Sequence, residues 1–395
     1  MTDRIYYTEP SCRSFEATIT RLCEHDGRPA VVLNRTAFYP TSGGQPFDTG
    51  RLGSVGVIET VDDGDDILHV VSEPMPAGVA VKGEIDWPRR FDHMQQHTGQ
   101  HVLSAAFDRL IENRTTGFHM GAETSTVDLR REVTAAEIER AVDEANRVVS
   151  ENREVSVRFV SADEAARLPL RKEPVREGTL RLIEISEFDL SACGGTHVSR
   201  TGAIGMIAVT SAERFRGGSR LTFVCGARAL RSFRTLRDAV AGAVRVLSVL
   251  PHELAGAIER AQLEAKEGRK TVSRLQGMLA GHEAARLLSE ASGGDGVRIV
   301  TKRVDGWDAS GLKAIATALA AHRNVAALLV SSSEPIAVVV ARSPDVALDA
   351  SKVLRALLDR FGGRGGGRPD LAQGAGLVGR ADDILAFARA LLGSG

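Results

Sequence analysis

Short apolar runs bounded by turn-forming residues characterise the first part of the chain. Residues 30–33, 55–58 and 67–71 form such runs, which are rich in β-branched side chains and flanked by Gly, Asp or Pro. Runs of this length and composition are typical of strands. Two longer segments of helical character lie in the same part of the chain. The pattern therefore predicts a mixture of strands and helices up to about residue 230.

Apolar residues recur at helical spacing between about residues 229 and 291. Spacings of three and four residues place such side chains on one face of a helix. The pattern is interrupted around Pro251, and proline is tolerated in the first turn of a helix. We expect a helical hairpin or short coiled coil that acts as an arm. The two apolar series are Leu236, Val240, Val244 and Leu247, then Leu263, Val272, Leu275 and Leu279.

Strand-like and helix-like patterns alternate after residue 296. This alternation predicts a small α/β unit. The unit contains a glycine-dense stretch at 361–376 and ends in a helix at 382–392. The elements predicted before the glycine-dense stretch are a strand at 297–304, a helix at 310–321, apolar runs at 325–330 and 336–341, and a helix at 348–360.

Composition narrows the class of protein. The 395 residues suit two or three domains, and 43% hydrophobic with 26% charged residues is typical of a soluble protein. The first residues lack the pattern of a signal peptide, and no apolar run approaches the roughly 20 residues that span a bilayer. We expect a cytoplasmic protein without a membrane partner. Four cysteines are too few for a disulfide framework, and a net charge of −1 means that only local basic patches could bind a polyanion.

Three histidines lie four residues apart, at His93, His97 and His101. On a helix, side chains with this spacing lie on one face, so two imidazoles can bind one ion. The spacing does not decide between the pair His93/His97 and the pair His97/His101. For this segment alone, a solvated or core-facing row of histidines is the alternative.

A second pair of metal-binding residue types occurs at Cys193 and His197. Gly194 and Gly195 lie between them and allow a tight backbone turn that directs both side chains to one point. Three nitrogens and one sulfur are an ordinary tetrahedral zinc set. Because cysteine and histidine are otherwise scarce in this chain, the two pairs together predict a zinc site.

A turn-rich loop at 34–50 adds further polar groups. Its paired glycines allow backbone to approach a ligand closely, and Thr36, Ser42 and Gln45 supply hydroxyl and amide groups. Taken alone, this segment is better explained as a polar loop that closes a barrel.

Three motifs together resemble the editing domain of alanyl-tRNA synthetases and of free-standing AlaX proteins. They are T-x-F-Y-P-x-S-G-G-Q from Thr36, H-T-x-x-H at 97–101 and C-G-G-T-H at 193–197. The resemblance covers about residues 4–230 and leaves His93 outside the ligand set. It implies that zinc is bound by His97, His101, Cys193 and His197.

The stretch at 362–374 is similar to the glycine-rich motif in the C-terminal domain of alanyl-tRNA synthetases, and a related module occurs in DHH-type phosphoesterases. The Asp-His-His signature of phosphoesterase chemistry is missing. Editing-type sequence begins within the first few residues, so we expect the long form of AlaX rather than a synthetase. The implied fold is α+β, with a small β-barrel and a zinc-binding α/β unit in the editing domain. Its segments are an N-terminal β-barrel-like subdomain (1–90), a zinc-binding editing domain (91–230), a helical arm (231–291) and a glycine-rich α/β domain (292–395).

The resemblance implies hydrolysis of the ester that joins a wrong amino acid, serine or glycine, to alanine tRNA. A synthetase pocket cannot strongly reject an isostere that merely adds a hydroxyl, so a second site must recognise that hydroxyl. Thr36 is our first candidate for this recognition, and Gln45 is the second. The alternatives are a non-catalytic, zinc-stabilised tRNA-binding protein and a zinc hydrolase for another ester. A homodimer through the C-terminal region is a further expectation.

Overall fold

The structure, a computed structural model, describes residues 1–171, 178–291, 296–332 and 334–393. The chain divides into two compact units, Met1–Gly242 and Ala243–Gly395. The expected mixture of α and β structure is confirmed, with eight α-helices and several sheets in the described residues. The division into four segments stays a prediction, and residues 292–295 at its last boundary lie outside the described residues. No helix in the described part of the chain is both long and apolar enough to cross a membrane.

The N-terminal part of the first unit consists of strands. The apolar runs predicted at 30–33, 55–58 and 67–71 all lie in strands, which confirms this part of the pattern. The strands are β1 (Asp3–Arg4), β2 (Ser14–His25), β3 (Arg28–Leu33), β4 (Arg35–Thr36), β5 (Gly50–Leu52), β6 (Val55–Asp63), β7 (Asp66–Val71) and β8 (Ala80–Ile85).

Six of these strands pair in a closed ring in the order β2-β3-β7-β6-β5-β8, and β1 pairs with β4. Phe15, Ala17 and Ile19 of β2 are buried while the residues between them are more exposed, as expected of a strand with one buried face. They share a core cluster with Leu33 and Leu52. The more specific description as a small β-barrel stays a prediction.

Helices and two further sheets complete the first unit. The elements are α1 (Trp87–Ile111), β9 (Thr115–Met120), β10 (Ser125–Leu129), α2 (Ala135–Ser150), β11 (Val155–Val160), α3 (Ala162–Ala165), β12 (Leu180–Ile185), β13 (Asp189–Ala192), β14 (Ile207–Phe215), β15 (Gly218–Cys225) and α4 (Gly226–Leu247). One sheet has four strands in the order β14-β15-β10-β9, and the other has three in the order β11-β12-β13.

The long helix α1 lies in the centre of this second part. The Asp86 side chain accepts a hydrogen bond from the Arg89 amide and so caps its first turn. Every residue from 93 to 107 is buried, polar ones included. The Gln96 amide group bonds both the N–H and the C=O of Cys225, which satisfies a buried polar group and ties the helix to the end of β15.

The second unit contains one five-stranded sheet together with helices. The predicted break near Pro251 is confirmed, because a 3₁₀ turn at Pro251–Glu253 precedes the next helix. The elements are α5 (Leu254–Ser289), β16 (Arg298–Val304), α6 (Ala309–Ala320), β17 (Val325–Ser331), β18 (Ile336–Arg342), α7 (Ala350–Phe361), β19 (Arg364–Gly367), β20 (Leu371–Leu377) and α8 (Ala381–Gly393). The five strands pair in the order β16-β17-β18-β20-β19.

The glycine-dense stretch forms two strands rather than a loop. β19 and β20 pair antiparallel, with Gly365 opposite Gly374. A Cβ at Gly365 or Gly367 would overlap the backbone of β20, so glycine permits the close approach of the two strands. Because three of the four residues of β19 are glycines, no alternation of side chains marked this strand in the sequence.

The packing of α1 against β15 predicts the effect of one substitution. A Cβ at Gly99 would overlap the Sγ of Cys225, whereas a Cβ at Gly242 of α4 would meet nothing within 4 Å. Gly99→Ala should lower the free energy of unfolding by about 1–3 kcal/mol through overpacking. Gly242→Ala should leave it unchanged or raise it by up to about 1 kcal/mol. Urea denaturation of both variants checks this, and equal effects would contradict the packing described.

Candidate metal centre

Four side chains with nitrogen or sulfur donors converge beside α1. Each places one donor atom within 4.8 Å of those of the other three. The Sγ of Cys193 lies 3.4 Å from Nε2 of His97 and 3.4 Å from Nε2 of His197. The group, which could hold a metal ion, consists of His97, His101, Cys193 and His197. His93 is buried one turn earlier on α1 and is not part of this group within the described residues.

Local structure explains how the two halves of the group meet. His97 and His101 are one turn apart on α1, and Cys193 directly follows β13. Gly195 lies against the His97 ring, where a Cβ would overlap Cε1 and Nδ1. Any larger residue would displace the ring. The second glycine of the C-G-G-T-H turn is therefore required for close approach as well as for the turn.

Gln45 fixes the orientation of His97. Its Oε1 lies 2.9 Å from Nδ1 of His97 and also accepts the Thr196 amide at 3.1 Å. Its Nε2 donates to the Thr196 hydroxyl at 2.8 Å. Because the amide nitrogen is occupied by Thr196, the oxygen must face His97, whose Nδ1 then donates. Nε2 of His97 is left as the lone-pair donor beside Cys193.

Thr98 does the same for His197. Its hydroxyl donates to the Met94 carbonyl at 2.8 Å and accepts the Val198 amide at 3.1 Å. Nδ1 of His197 lies 3.2 Å from the same oxygen. Since the single hydroxyl hydrogen already points to Met94, His197 must donate through Nδ1.

His101 has a charged acceptor. Its Nδ1 lies 3.0 Å from Oδ2 of Asp189, whose side chain is fully buried. Burial alone raises the pKa of Asp189, but the hydrogen bond from His101 and the charge of Arg171 hold that pKa well below its usual range. Asp189 is therefore an anion near neutral pH, and all three histidines use Nδ1 for hydrogen bonding.

The electrostatics of the group favour metal-binding forms. Burial raises the pKa of the Cys193 thiol, but the interaction with His101, the hydrogen bond from the Gly195 amide and the charge of Arg181 outweigh it, so the pKa lies below its usual value. Burial, together with the charges of the neighbouring histidines, holds the pKa of His197 well below its usual value. Thiolate and neutral imidazole are the forms that bind metal ions.

A cavity of about 630 Å³ opens beside the group. Gln100 on its wall donates to the Ser104 hydroxyl at 2.8 Å, and Thr115 donates to the same oxygen at 2.6 Å. The Phe118 ring lies 5.2 Å from the His97 ring, centroid to centroid. Besides His97, His101 and Cys193, the walls comprise Ser42, Gly43, Gln100, Arg114, Thr115, Thr116, Gly117, Phe118, Arg171, Ser191, Ala192 and Gly194. The cavity thus combines polar groups with the donors of the four-residue group.

Thr36 lies elsewhere. Its hydroxyl is 2.7 Å from Nε2 of His69 and accepts the Phe38 amide at 3.1 Å, and its side chain is fully buried. Burial lowers the pKa of His69 to about 4, so its ring is neutral. Nδ1 of His69 lies 3.2 Å from the Val31 carbonyl and must donate there, which leaves Nε2 to accept from Thr36. Neither Thr36 nor Gln45 is among the residues that line the cavity.

Sequence reasoning missed three residues around the group. Thr98 and Thr196 lie inside the motifs that carried the resemblance, so their positions were visible but their roles were not. Asp189 precedes Cys193 by four residues and belongs to no motif considered. The alternation of polar and apolar residues in β13 would place Asp189 and Ser191 on an exposed face, whereas the structure buries both, so the sequence carried no signal for this residue.

Two known families match separate parts of the chain, one containing the C-G-G-T-H turn and the other the glycine-dense stretch. Residues 180–221 match the family described as the threonyl and alanyl tRNA synthetase second additional domain. Residues 296–394 match the DHHA1 domain. Among solved structures, the C-Ala domain from Aquifex aeolicus alanyl-tRNA synthetase is 26% identical over 26% of this chain and 93% of that chain, with a TM-score of 0.23. That TM-score is too low to describe the fold.

Two kinds of curated relative match nearly the whole chain. An alanine–tRNA ligase from Natronomonas pharaonis is 35% identical over 95% of this chain, which covers 42% of the ligase. The alanyl-tRNA editing protein AlaX-L from Pyrococcus horikoshii is 30% identical over 95% of this chain and 94% of that protein. The chain thus spans about two fifths of the ligase and nearly all of the editing protein.

Proposed function

The chain belongs to the family of AlaX-L alanyl-tRNA editing proteins, and on this basis we propose that it is an aminoacyl-tRNA hydrolase that edits alanine tRNA. Its substrates are alanine tRNA mischarged with serine or with glycine, and its working compartment is the cytoplasm. The observation that carries the proposal is the group of four donor side chains, three of which line a polar cavity.

The metal proposed for this group is Zn²⁺, bound by His97, His101, Cys193 and His197. Ordinary Zn–N and Zn–S bonds at tetrahedral angles separate sulfur from nitrogen by about 3.6 Å. The separations of 3.4 Å between Cys193 Sγ and two histidine nitrogens fit this value. One thiolate with neutral imidazoles is also a common zinc ligand set, so donor chemistry and geometry support the same ion.

Four protein ligands leave no obvious open coordination position, so the ion would supply a fixed positive charge beside the cavity. The residues of the chain then have the task of orienting the ester. His97, His101 and Cys193 are shared between the donor group and the cavity wall. Gln100 is held by Ser104 and adds a fixed amide to the same wall. An ester bound there would meet polar groups that cannot rotate away.

Discrimination of serine from alanine needs buried polar groups that remain unpaired when the substrate lacks a hydroxyl. We propose that Thr36 and Gln45 influence this discrimination by holding the loop at 34–50 in place. Gln45 fixes His97, and Thr36 anchors the start of the segment that carries Ser42 and Gly43 to the cavity wall.

The tRNA is proposed to contact the second unit as well. Arg364 and Arg368 are exposed at the ends of the glycine strand β19, where backbone and cations are both accessible to phosphates. A homodimer through this C-terminal region stays a further proposal.

The direct test is deacylation of Ser-tRNA(Ala) beside Ala-tRNA(Ala) by the purified chain. Serine should be released at least about 10²-fold faster than alanine, because a site with partners for the hydroxyl rejects the analogue that lacks it. Cys193→Ala should abolish the release, whereas Cys23→Ala on strand β2 should not change it. Binding of tRNA without release of either amino acid would contradict hydrolysis and favour the non-catalytic, zinc-stabilised tRNA-binding protein.

Replacement of Thr36 by valine tests its part in discrimination. The change keeps the shape but leaves His69 Nε2 and the Phe38 amide buried without their partner, which costs about 1–3 kcal/mol. The loop should shift, and the ratio of seryl to alanyl deacylation rates should fall while zinc content stays the same. An unaltered ratio in the folded variant would remove Thr36 from the recognition role.

A further inference from the structure

The three histidines of the donor group differ in what holds them. His97 donates to a neutral amide oxygen and His197 to a neutral hydroxyl. In the described part of the chain, His101 donates to a carboxylate, that of Asp189. A hydrogen bond to an ionised acceptor is roughly twice as strong as one between neutral groups. The orientation and basicity of His101 should therefore depend most on its partner.

Asp189 is itself held from several sides. Nε of Arg171 lies 2.6 Å from Oδ1, and a terminal nitrogen of Arg171 lies 3.1 Å from Oδ2. The Ser191 hydroxyl is 3.1 Å from both oxygens. With His101 on Oδ2, both carboxylate oxygens have hydrogen-bond partners, and these partners hold the carboxylate in one orientation. The carboxylate therefore cannot rotate away from the histidine.

The charge of Asp189 is not needed for packing. Burying an ion pair costs desolvation that its attraction seldom exceeds, and the Asp189 side chain is fully buried while that of Arg171 is 14% exposed. An asparagine could accept the same bond from His101 without requiring a buried arginine. The combination is instead suited to keeping a histidine donating through Nδ1 and strongly basic at Nε2.

We propose that Asp189, anchored by Arg171, is the positioning residue that fixes His101 in the donor group and sets the affinity of the group for its metal ion. This rests on the proposed zinc site. Strand β13 delivers both parts, because Asp189 begins the strand and Cys193 directly follows it. A single four-residue strand thus orients one ligand and presents the next.

The test compares zinc affinity, by competition with a chelator, for the unaltered chain and three variants. Asp189→Ala should weaken zinc binding about 10- to 100-fold, the usual cost of removing the partner of a ligand histidine. Asp189→Asn keeps an acceptor and should weaken it less. Asp128→Asn is the matched control. The Asp128 side chain also pairs with an arginine through two bonds, and in the described part of the chain it bonds none of the four residues of the donor group. This variant should bind zinc with unchanged affinity.

The absorption spectrum of the cobalt-substituted protein gives a second readout that a merely structural role would not move. The ligand-field bands should shift in Asp189→Asn, which keeps the fold, and not in Asp128→Asn. If the Asp189 variants had the zinc affinity and cobalt spectrum of the unaltered chain, the positioning role would be wrong. It would also be wrong if Asp189→Asn and Asp128→Asn lost zinc affinity to the same extent. If the unaltered chain bound no zinc, the zinc site and this inference would both be wrong, so the two failures are distinguishable.

Discussion

The hydrogen bond at Nδ1 of each histidine in the donor group is the interaction on which the site depends. An imidazole has two ring nitrogens, so an acceptor fixed at one of them determines which way the other points and that it carries a lone pair. Gln45, Asp189 and Thr98 supply these acceptors from a loop, a strand and α1 itself. The donors therefore converge because distant parts of the first unit each hold one ring.

This requirement explains features that otherwise look unfavourable. α1 is buried from His93 to Phe107 although it carries many polar residues, and Gln96, Thr98 and His101 each bond a neighbouring part of the chain. Gly99 and Gly195 are needed because Cys225 and the His97 ring occupy the space that their side chains would fill. These close contacts hold the donors in a rigid arrangement, as a preorganised site requires.

Spacing predicted the donor group better than it predicted the surroundings. The i, i+4 pairs on a helix and around a glycine turn imply convergence, but the choice of His97 and His101 over His93 and His97 came from the resemblance. The structure brings His97, His101, Cys193 and His197 together. The direction of the loop residues was not predictable, because polarity does not reveal whether Thr36 faces a cavity or His69. Asp189 also escaped, since its role arises from a contact between β13 and α1 that lie far apart in sequence.

The fold followed the same division between local and long-range information. Apolar runs identified three strands of the first unit, β3, β6 and β7, and periodic apolar residues identified the helices on both sides of Pro251. Strands β19 and β20 were marked in the sequence only as a glycine-dense stretch, because the glycines of β19 carry no side chains to alternate and the pairing of the two backbones defines the strands. The resemblance to editing proteins came from motifs, not from periodicity, and the AlaX-L relative matches nearly the whole chain.

Zinc K-edge X-ray absorption of the chain purified without added metal would test the central claim most directly. The account predicts about one zinc per chain, with one sulfur near 2.3 Å and three nitrogens near 2.0–2.1 Å. A protein without zinc, or a zinc shell that lacks sulfur, would contradict the assignment of His97, His101, Cys193 and His197 as its ligands.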